Sequence, residues 1–334
     1  MSESEAISVV MPVYNGCAFI ARSLPPLMEM ERRGELAEVI VVDDTSTDDT
    51  AVVAAAMGAR VMPSGGRLGP GGARNQAAAQ ATGEVLWFVD ADVVVHKDAA
   101  REIRRAFSEP GVTAVFGCYD DQPPAKNFLS QYKNLVHHFY HHRGGGEAST
   151  FWAGCGAVRK DAFLAIGGFD VVRYTRPSIE DIELGYRLRA AGGRIVLWPA
   201  LQGTHLKVWR FLNLIHTEVF CRAIPWSRLM LSQTGLVNEL NVGTAERLRA
   251  VLAGLFFAGS AASLHPAVPG WVALALLGAI ALANASLLRL FYRRKGLLFA
   301  LGGLLFHQVY YLYSSAAFAW CWLEFRVHNT IRTR

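Results

Sequence analysis

The feature that most constrains the fold of this chain is the uncharged stretch Gly296–Leu323 near its C-terminal end. A hydrocarbon core of ~30 Å is crossed by about 20 helical residues, so this stretch is long enough to span a membrane. Trp271–Phe291 carries a single charge, Arg289, and is also long enough. Ala250–Leu264 is shorter, and we expect it to cross a thinned bilayer or to form a re-entrant segment. The sequence therefore predicts a membrane region over 246–334 with about three helices, at 250–264, 271–291 and 296–323.

Charge is distributed unevenly along the chain. Of the formal net charge of +5, residues 241–334 carry +7 and residues 1–240 carry −2. The basic residues flank apolar segments, as in membrane proteins, whereas a nucleic-acid-binding protein would spread them over a soluble face. We therefore expect a membrane partner and no nucleic acid.

The positive-inside rule bears on the orientation of the membrane helices. The cluster Arg293–Lys295 should face the cytoplasm. A three-helix path then leaves Arg326, Arg332 and Arg334 outside, which conflicts with the same rule, so two or four spans stay open. The polar segment Met1–Ile7 does not resemble a signal peptide. We expect a multi-pass protein of the cell inner membrane whose catalytic part is cytoplasmic.

Residues 7–200 alternate short apolar runs with helix-like segments. Ser8–Pro12, Val39–Val42 and Val85–Val89 are typical of buried strands, and Ala18–Gly34 and Asp49–Met57 are typical of helices. This alternation predicts an α/β domain over 1–204, with a mostly parallel twisted sheet and helices on both faces. In such sheets ligands bind at the carboxyl ends of the strands. The residues that follow each strand are therefore the candidates for chemistry.

A different pattern follows this domain, over residues 205–245. Trp209, Leu212, Ile215 and Val219 recur at helical spacing, with polar residues between them. Such amphipathic helices next to apolar spans are typical of segments that lie on the membrane surface, and Trp226 can serve as an interface anchor. We expect interface helices here, with packing on the α/β domain as the alternative.

Three polar segments lie at the ends of the predicted strands, and a glycine-rich segment lies between the second strand and the third. The Asp-x-Asp pair after the third strand needs a compensating cation, and a hard divalent ion that bridges Asp and diphosphate oxygens supplies it. An aromatic ring and a carboxylate on neighbouring strands can stack on a nucleobase and hydrogen-bond it, while Arg74 can hold a diphosphate. The segments are Pro12–Asn15, Asp43–Asp48, Leu68–Asn75 and Asp90–Asp92.

Taken in order, PVYN, VVDDTSTDDT, GPGGARN, FVDAD and IEDIELGYRL resemble the motifs of family 2 glycosyltransferases of the GT-A fold, over roughly residues 7–210. The resemblance implies an inverting transfer from a UDP- or GDP-linked sugar with Mg²⁺ or Mn²⁺. It implies that Tyr14 stacks on the base and Asp44 hydrogen-bonds it, while Asp90 contacts the ribose or sugar. The implied donor residues are Pro12, Tyr14, Asp43, Asp44, Gly72, Arg74, Asp90 and Ala91, and the implied metal ligands are Asp92 and His205.

One residue departs from the family pattern. Thr45 stands where a glycine usually follows the acidic pair, which leaves the geometry of that turn open but not the assignment of the motif. His205 matches a histidine that many relatives place near the metal or the diphosphate, although a lone histidine can equally be structural.

The resemblance makes Asp181 the catalytic base, with Glu180 beside it. An inverting transfer needs one carboxylate to take the proton of the acceptor hydroxyl, which supports the assignment. The alternative is that both acids favour the first turn of a helix through its dipole. Upstream, the small-residue loop Phe151–Val158 is a candidate acceptor wall, with Trp152 and Gly154, or else a buried structural turn.

Two further features of the sequence, a run of histidines and the five cysteines, bear on metal binding. His137, His138, His141 and His142 form two i,i+4 pairs, a spacing typical of zinc ligands, but no cysteine or acid lies close by in the sequence. We therefore interpret Asn127–His142 as an aromatic, cationic helix near the membrane interface. The five cysteines are scattered and lack a CxxC pair, so neither a disulfide framework nor a thiolate zinc site is indicated.

An active site joined to interface helices suits a substrate that lies in the bilayer. We expect transfer of one sugar to a membrane lipid at the cytoplasmic leaflet: a polyprenyl phosphate, a glycerolipid, a sphingolipid or a lipid-linked saccharide. The alternatives are a processive polysaccharide synthase, a component of an exporting complex, or a nucleotidyltransferase. Arg222 and Trp226 match the QxxRW motif of processive synthases poorly, which favours a single transfer.

Overall fold

The computed structural model describes residues 5–234 and 240–332, and the chain divides into two units. Unit 1 is Met1–Val208 and unit 2 is Trp209–Arg334. The strands of unit 1 are β1 (Ile7–Val13), β2 (Glu38–Asp43), β3 (Arg60–Pro63), β4 (Val85–Val89), β5 (Val93–Val95), β6 (Val112–Tyr119), β7 (Gly146–Ala148), β8 (Cys155–Arg159) and β9 (Arg194–His205).

The helices of unit 1 cover the sheet between these strands, and unit 2 is helical where it is described. Those of unit 1 are α1 (Cys17–Arg32), α2 (Thr50–Ala56), α3 (Gly69–Gln80), α4 (Ala99–Phe107), α5 (Phe128–Arg143), α6 (Lys160–Ala165) and α7 (Glu180–Ala190). Those of unit 2 are α8 (Phe211–His216), α9 (Ile224–Leu229), α10 (Thr244–Ala262), α11 (Trp271–Ala283), α12 (Ala285–Lys295) and α13 (Leu297–Arg332), with π-helical turns at Thr217–Ala223 and Met230–Thr234 and a 3₁₀ turn at Leu240–Val242.

The sheet is mixed, so the prediction of a mostly parallel sheet is wrong. Its strand order is β3-β2-β1-β4-β8-β6-β9-β5, with β7 paired to β9. The first four strands in this order are parallel, as are β6 and β9. Strand β8 is antiparallel to both of its neighbours, and β5 and β7 are antiparallel to β9. Parallel neighbours require crossover connections, which α1, α2 and α3 supply among β1 to β4, whereas antiparallel neighbours can be joined by short loops.

The central strands are buried on both faces. Every residue of β1 and of β4 is buried, which explains their continuous apolar runs. On one face the Phe88 ring packs against Phe163 and Phe169, with centroids 5.3 and 5.4 Å apart. On the other, Trp87 belongs to a core that includes residues of α1 and α4. This double burial fixes the strands that deliver the candidate site.

Unit 2 contains the predicted membrane helices in a different form. Leu297–His328 of α13 is long and apolar enough to cross a membrane. Helices α11 and α12 are each too short for that test and meet it only together, and they are bent by 79° at their junction. Arg249 Nε donates to the Ala283 carbonyl (2.8 Å) and Asn284 Nδ2 to the Ile280 carbonyl (2.9 Å), which satisfies acceptors at the break. The described residues thus contain one such helix, or two if the bent pair is one span, where about three were predicted.

The segment 205–245, predicted as interface helices, does not begin as a helix. Strand β9 runs to His205, and helix begins only at Phe211. Phe211, Leu212 and Phe220 are exposed, as an apolar surface helix would present them. Residues 235–239 of the predicted region 205–245, and Arg334 of the basic tail, lie outside the described residues.

Candidate functional site

The predicted site residues converge because the strands that carry them are neighbours. Val13 pairs with Asp43, and Val10 pairs with Phe88, so β1, β2 and β4 end at the same edge of the sheet. Pro12 is buried in β1 opposite Val42. The residues that follow these ends therefore share one edge, as expected from the parallel pairing.

Asp44 holds the glycine-rich loop before α3. Its buried carboxylate accepts the N–H groups of Leu68 (2.7 Å) and Gly69 (2.9 Å). A carboxylate is favoured there because it satisfies unpaired N–H groups at the start of a helix and interacts well with the helix dipole. Asp43 Oδ1 accepts the N–H of Ser46 at 3.3 Å. Both members of the acidic pair thus shape loops at this edge.

The turn after the acidic pair keeps the conformation that glycine would favour. Thr45 has a φ of +65°, in the left-handed region that glycine adopts most readily. Asn15 also has a positive φ, and its Oδ1 accepts the N–H of Thr47 at 2.7 Å. The loops after β1 and β2 are therefore joined in a strained arrangement.

Tyr14 is 41% exposed at the end of β1. The guanidinium of Arg67 lies 3.2 Å from the centroid of its ring, and Arg67 Nε lies 3.6 Å from Asp44 Oδ2. A cation over an aromatic face is a favourable contact. The structure thus adds Arg67, which the sequence did not single out, to the predicted pair of Tyr14 and Asp44.

Arg74 is 4% exposed and donates to Asp90 Oδ1 at 2.5 Å. Its Nε is buried and has no hydrogen-bond partner among the residues described. A buried donor without a partner is costly, so this guanidinium has unused capacity for an anion. Gly72 is needed close by, since a Cβ there would come within 2.8 Å of the Leu68 Cβ.

Asp92 and His205 are brought together by the pairing of β5 with β9. Asp92 Oδ2 lies 3.4 Å from His205 Nε2. Burial alone would raise the pKa of Asp92, but the hydrogen bond to His205 and the charges of His205 and Lys207 lower it overall. Ala91, between the two carboxylates of the Asp-x-Asp pair, packs against the core. An ionised carboxylate next to an imidazole is a donor set that suits a divalent cation.

The segment 152–154 connects the Asp-x-Asp pair with the predicted base. The N–H of Asp90 donates to the Gly154 carbonyl (3.1 Å), and the N–H of Ala153 donates to Asp181 Oδ2 (3.2 Å). Glu180 is buried, and its Oε2 accepts the N–H of Ser178 at 2.7 Å. Of the two acids, Glu180 therefore closes the first turn of α7, while Asp181 contacts the loop that adjoins Asp90.

Trp152 forms a wall beside this segment. A Cβ at Gly154 would lie 2.5 Å from the Trp152 ring, so only glycine fits there. The Trp152 ring also meets the Tyr119 ring edge-on, with centroids 4.8 Å apart. Tyr119 in turn stacks on His205 at 4.2 Å and 7°. An aromatic layer thus backs the Asp92–His205 pair.

Tyr119 and Asp120 were missed in the sequence although a signal was present. Asp120 follows Tyr119 at the end of β6, just as Asp44 follows β2: an acid comes directly after a buried run. Asp120 is buried and accepts hydrogen bonds from His96 and from the Thr204 hydroxyl. Burial alone would raise the pKa of Asp120, but these two hydrogen bonds lower it overall.

Helix α5 corrects the interpretation of the histidine run. It packs against β6, with Tyr132, Leu135 and Phe139 buried, so the expectation of an aromatic face at the membrane interface is wrong. The apolar periodicity is the same in both settings and does not distinguish them. The fold also brings Cys118 close to His138 and His142, although the sequence places no cysteine near them.

Comparison with known proteins agrees with this geometry. Residues 8–167 match the glycosyl transferase family 2. The chain is 30% identical over 225 residues to the validoxylamine A glucosyltransferase of Streptomyces hygroscopicus subsp. jinggangensis, covering 56% of this chain and 52% of that protein. It is 28% identical over 212 residues to the pre-mycofactocin glycosyltransferase of Mycobacterium tuberculosis, covering 60% and 42%. The chain thus spans about half or less of the length of these curated relatives.

A solved structure shares the fold. The chain is similar to the mannosyltransferase PcManGT from Pyrobaculum calidifontis, solved with GDP-Man and Mn²⁺, at 20% identity and a TM-score of 0.53 over 96% of this chain and 88% of that one. The mixed sheet and its helices are those of the GT-A fold. Over residues 8–167 the chain is therefore similar to the glycosyl transferase family 2.

Proposed function

We propose that this protein transfers one sugar, with inversion, from a UDP- or GDP-linked donor to a membrane lipid. The observation that carries the proposal is a series of hydrogen bonds. Arg74 donates to Asp90, whose N–H donates to the Gly154 carbonyl, and the N–H of the adjacent Ala153 donates to Asp181. These bonds join a buried arginine to a carboxylate at the start of a helix. The family match supports a glycosyltransferase. The GDP-Man complex of the similar mannosyltransferase supports a nucleotide-sugar donor.

The donor would occupy the edge where β1, β2 and β4 end. Tyr14 offers its exposed ring to the base, and Asp43 and Asp44 offer acceptor oxygens beside it. The buried Arg74 would bind the diphosphate, since its Nε is a donor that the described residues leave unused. Pro12, Gly72 and Ala91 would line this site, where the absence of a side chain at Gly72 allows close approach of backbone and phosphate.

Asp92 and His205, with Asp90 adjacent, would hold Mg²⁺ or Mn²⁺. The 3.4 Å between Asp92 Oδ2 and His205 Nε2 is a separation that two ligands of one ion can adopt, and the lowered pKa of Asp92 keeps it ionised. A divalent ion bound there supplies charge stabilisation to the departing diphosphate.

Asp181 would act as the base. Its carboxylate takes the proton of the acceptor hydroxyl as that oxygen bonds to the anomeric carbon. The bond from the anomeric carbon to the donor phosphate oxygen breaks, and its electron pair leaves with the nucleoside diphosphate. Arg74 donates to the oxygens on which this charge develops. Trp152 and Gly154 would face the acceptor, and Glu180 would position Asp181.

A membrane lipid is the acceptor class that unit 2 favours. Helix α13 is long and apolar enough to span a bilayer, and residues 241–334 carry a net charge of +7. We propose that 205–245 lies at the interface, that 246–334 is a multi-pass region of the inner membrane, and that 1–204 works on the cytoplasmic leaflet, where basic residues favour anionic lipid.

The test is incubation of the full chain with radiolabelled sugar nucleotides, a divalent metal and a bacterial lipid extract. We expect label in the organic phase, on one lipid species extended by one sugar. The Asp92→Asn variant should give no label. Label confined to water-soluble product overturns the lipid acceptor. Polymeric product indicates a processive synthase or an exporting complex, and released pyrophosphate indicates a nucleotidyltransferase.

A further inference from the structure

A second group of metal-ligating side chains lies where α5 packs against β6. Cys118, His138 and His142 each offer one ligand atom, and these atoms all lie within 4.8 Å of one another. Cys118 Sγ is 3.5 Å from His142 Nδ1. Tetrahedral zinc, with Zn–S of about 2.3 Å and Zn–N of about 2.0–2.1 Å, places a sulfur and a nitrogen ligand about 3.6 Å apart. The observed separation fits that geometry.

His138 is oriented as metal-bound histidines usually are. Its Nδ1 lies 2.8 Å from the Tyr119 carbonyl, which can only accept, so Nδ1 carries the proton in the neutral ring. The lone pair is then on Nε2. A backbone carbonyl on the other ring nitrogen is the common way in which proteins fix a ligating imidazole.

Asp121 lies beside His138, at the edge of this group of three. Its Oδ2 lies 3.9 Å from His138 Nε2, and both side chains are largely buried. Cys118 is buried, and its Sγ donates to the Pro199 carbonyl at 3.5 Å. His142 is exposed and gives the group access to solvent. Together the three ligands provide one sulfur and two imidazoles, and the Asp121 carboxylate lies beside them.

This donor set differs from that of Asp92 and His205. A thiolate with two imidazoles favours zinc, whereas Mg²⁺ and Mn²⁺ prefer oxygen ligands. We propose that Cys118, His138 and His142 bind one zinc ion, with Asp121 beside His138, at a site separate from the metal at Asp92. Binding forms a bond from Sγ to zinc and releases the thiol proton to solvent.

Bound zinc would restrict the motion of the residues that pack behind the Asp92–His205 pair. The Tyr119 carbonyl contacts His138, and the Tyr119 ring stacks on His205 at 4.2 Å. Zinc would therefore fix α5 on β6 and hold Tyr119 against the Asp92–His205 pair. All of these residues belong to unit 1.

Co²⁺ added to the purified full chain in detergent tests the site, because cobalt bound to a thiolate gives a charge-transfer absorption band. We expect this band, and its displacement by one equivalent of Zn²⁺. Cys118→Ser and His142→Gln should lose it, with zinc affinity lowered at least about tenfold. Asp92→Asn should retain it, since that residue belongs to the other site.

Matched controls are Cys221→Ser, a half-buried cysteine in unit 2, and His265→Gln, an exposed histidine. Both should keep the band. Its absence in the wild type, or its survival in His142→Gln, overturns the proposal. His142 is exposed, so this variant decides the question even where Cys118→Ser fails to fold. The readout involves no sugar transfer and is independent of the proposed function.

Discussion

The two units use polar residues in different ways. In unit 1 they end buried strands and bond one another across the sheet edge, as Arg74 does with Asp90. In unit 2 large apolar side chains are exposed, among them Leu212 at 80% and Leu298 at 86%. Exposed apolar surface of this extent marks an interaction site, and under the proposed function its partner is lipid. Unit 1 thus gathers polar side chains at the candidate site, whereas unit 2 presents large apolar side chains on its surface.

Among its described residues, unit 2 nevertheless contains a buried polar cluster. Glu246 pairs with Arg249, and the Tyr311 hydroxyl donates to Glu246 Oε2 at 2.6 Å. The same hydroxyl lies 3.3 Å from Asn284 Oδ1 at the break between α11 and α12. Polar groups in an apolar region must be satisfied internally, and this cluster satisfies them at the bend. The comparison between the units can be tested by removing polar residues from each.

The largest expected effect is on turnover in unit 1. Asp92→Asn should lower kcat about 10³-fold, because the loss of charge stabilisation by a metal costs several kcal/mol in the transition state. The melting temperature should change little. Steady-state assays across Mn²⁺ concentrations measure the effect. Turnover within tenfold of the wild type would place the metal elsewhere.

The next effect is on the stability of unit 2. Glu246→Ala should destabilise the protein by about 3 kcal/mol, since it leaves the half-buried Arg249 without its carboxylate partner. Glu324→Ala is the matched control, because its partner Arg228 is 57% exposed and such pairs contribute ~0–1 kcal/mol. Thermal unfolding in detergent compares the two. Equal losses would mean that the cluster at the bend has no special role.

A smaller effect depends on pH. Glu38 accepts hydrogen bonds from Thr82, Ser8 and Arg60; burial alone would raise its pKa, but these bonds lower it overall. The ionised Glu38 therefore contributes fully to the free energy of unfolding when the pH is above 4.5, its pKa in the unfolded chain. This contribution is lost as the pH falls through the lower pKa of the folded state. Glu38→Gln should cost about 2 kcal/mol at pH 7 and progressively less in acid. Urea unfolding at several pH values measures this loss, with the exposed Glu84→Gln as the control. A loss in the free energy of unfolding that did not vary with pH would contradict the prediction.

The smallest effect is a gain. Thr45→Gly should stabilise unit 1 by about 0.5–1 kcal/mol, because glycine adopts a φ of +65° without strain. Thr47→Gly, at an exposed position two residues on, should instead destabilise it slightly. Chemical denaturation of both variants measures the difference. A loss of stability in Thr45→Gly would show that its hydroxyl, bonded to the Asp44 carbonyl, outweighs the strain.

The sequence was most informative where burial is two-sided. Val39–Val42 and Val85–Val89 could be predicted as strands because a strand buried on both faces is a continuous apolar run ended by polar residues. The start of α7 at Glu180 followed from its acidic first turn. The convergence of Arg74, Asp90, Asp92 and His205 then follows from strand pairing.

Other features could not be read from local patterns. The contact of Cys118 with His142 joins residues from different elements, and only the packing of α5 on β6 creates it. The direction of β8 depends on how its connection returns to the sheet, and no residue type records that. The bend lies at Asn284 within a mainly apolar stretch, and mean hydropathy carries no information on the angle between two helices.

The central claim is that Asp181 removes the acceptor proton at the end of the donor site. Sugar transfer and donor binding by Asp181→Asn test it most directly, with Asp161→Asn as the matched control. Asp161 also opens a helix and accepts the N–H of the next residue, as Asp181 does, but is exposed on α6. The account predicts that Asp181→Asn binds the donor normally and transfers about 10²–10⁴-fold more slowly, while Asp161→Asn is unchanged. Normal transfer by Asp181→Asn would contradict it.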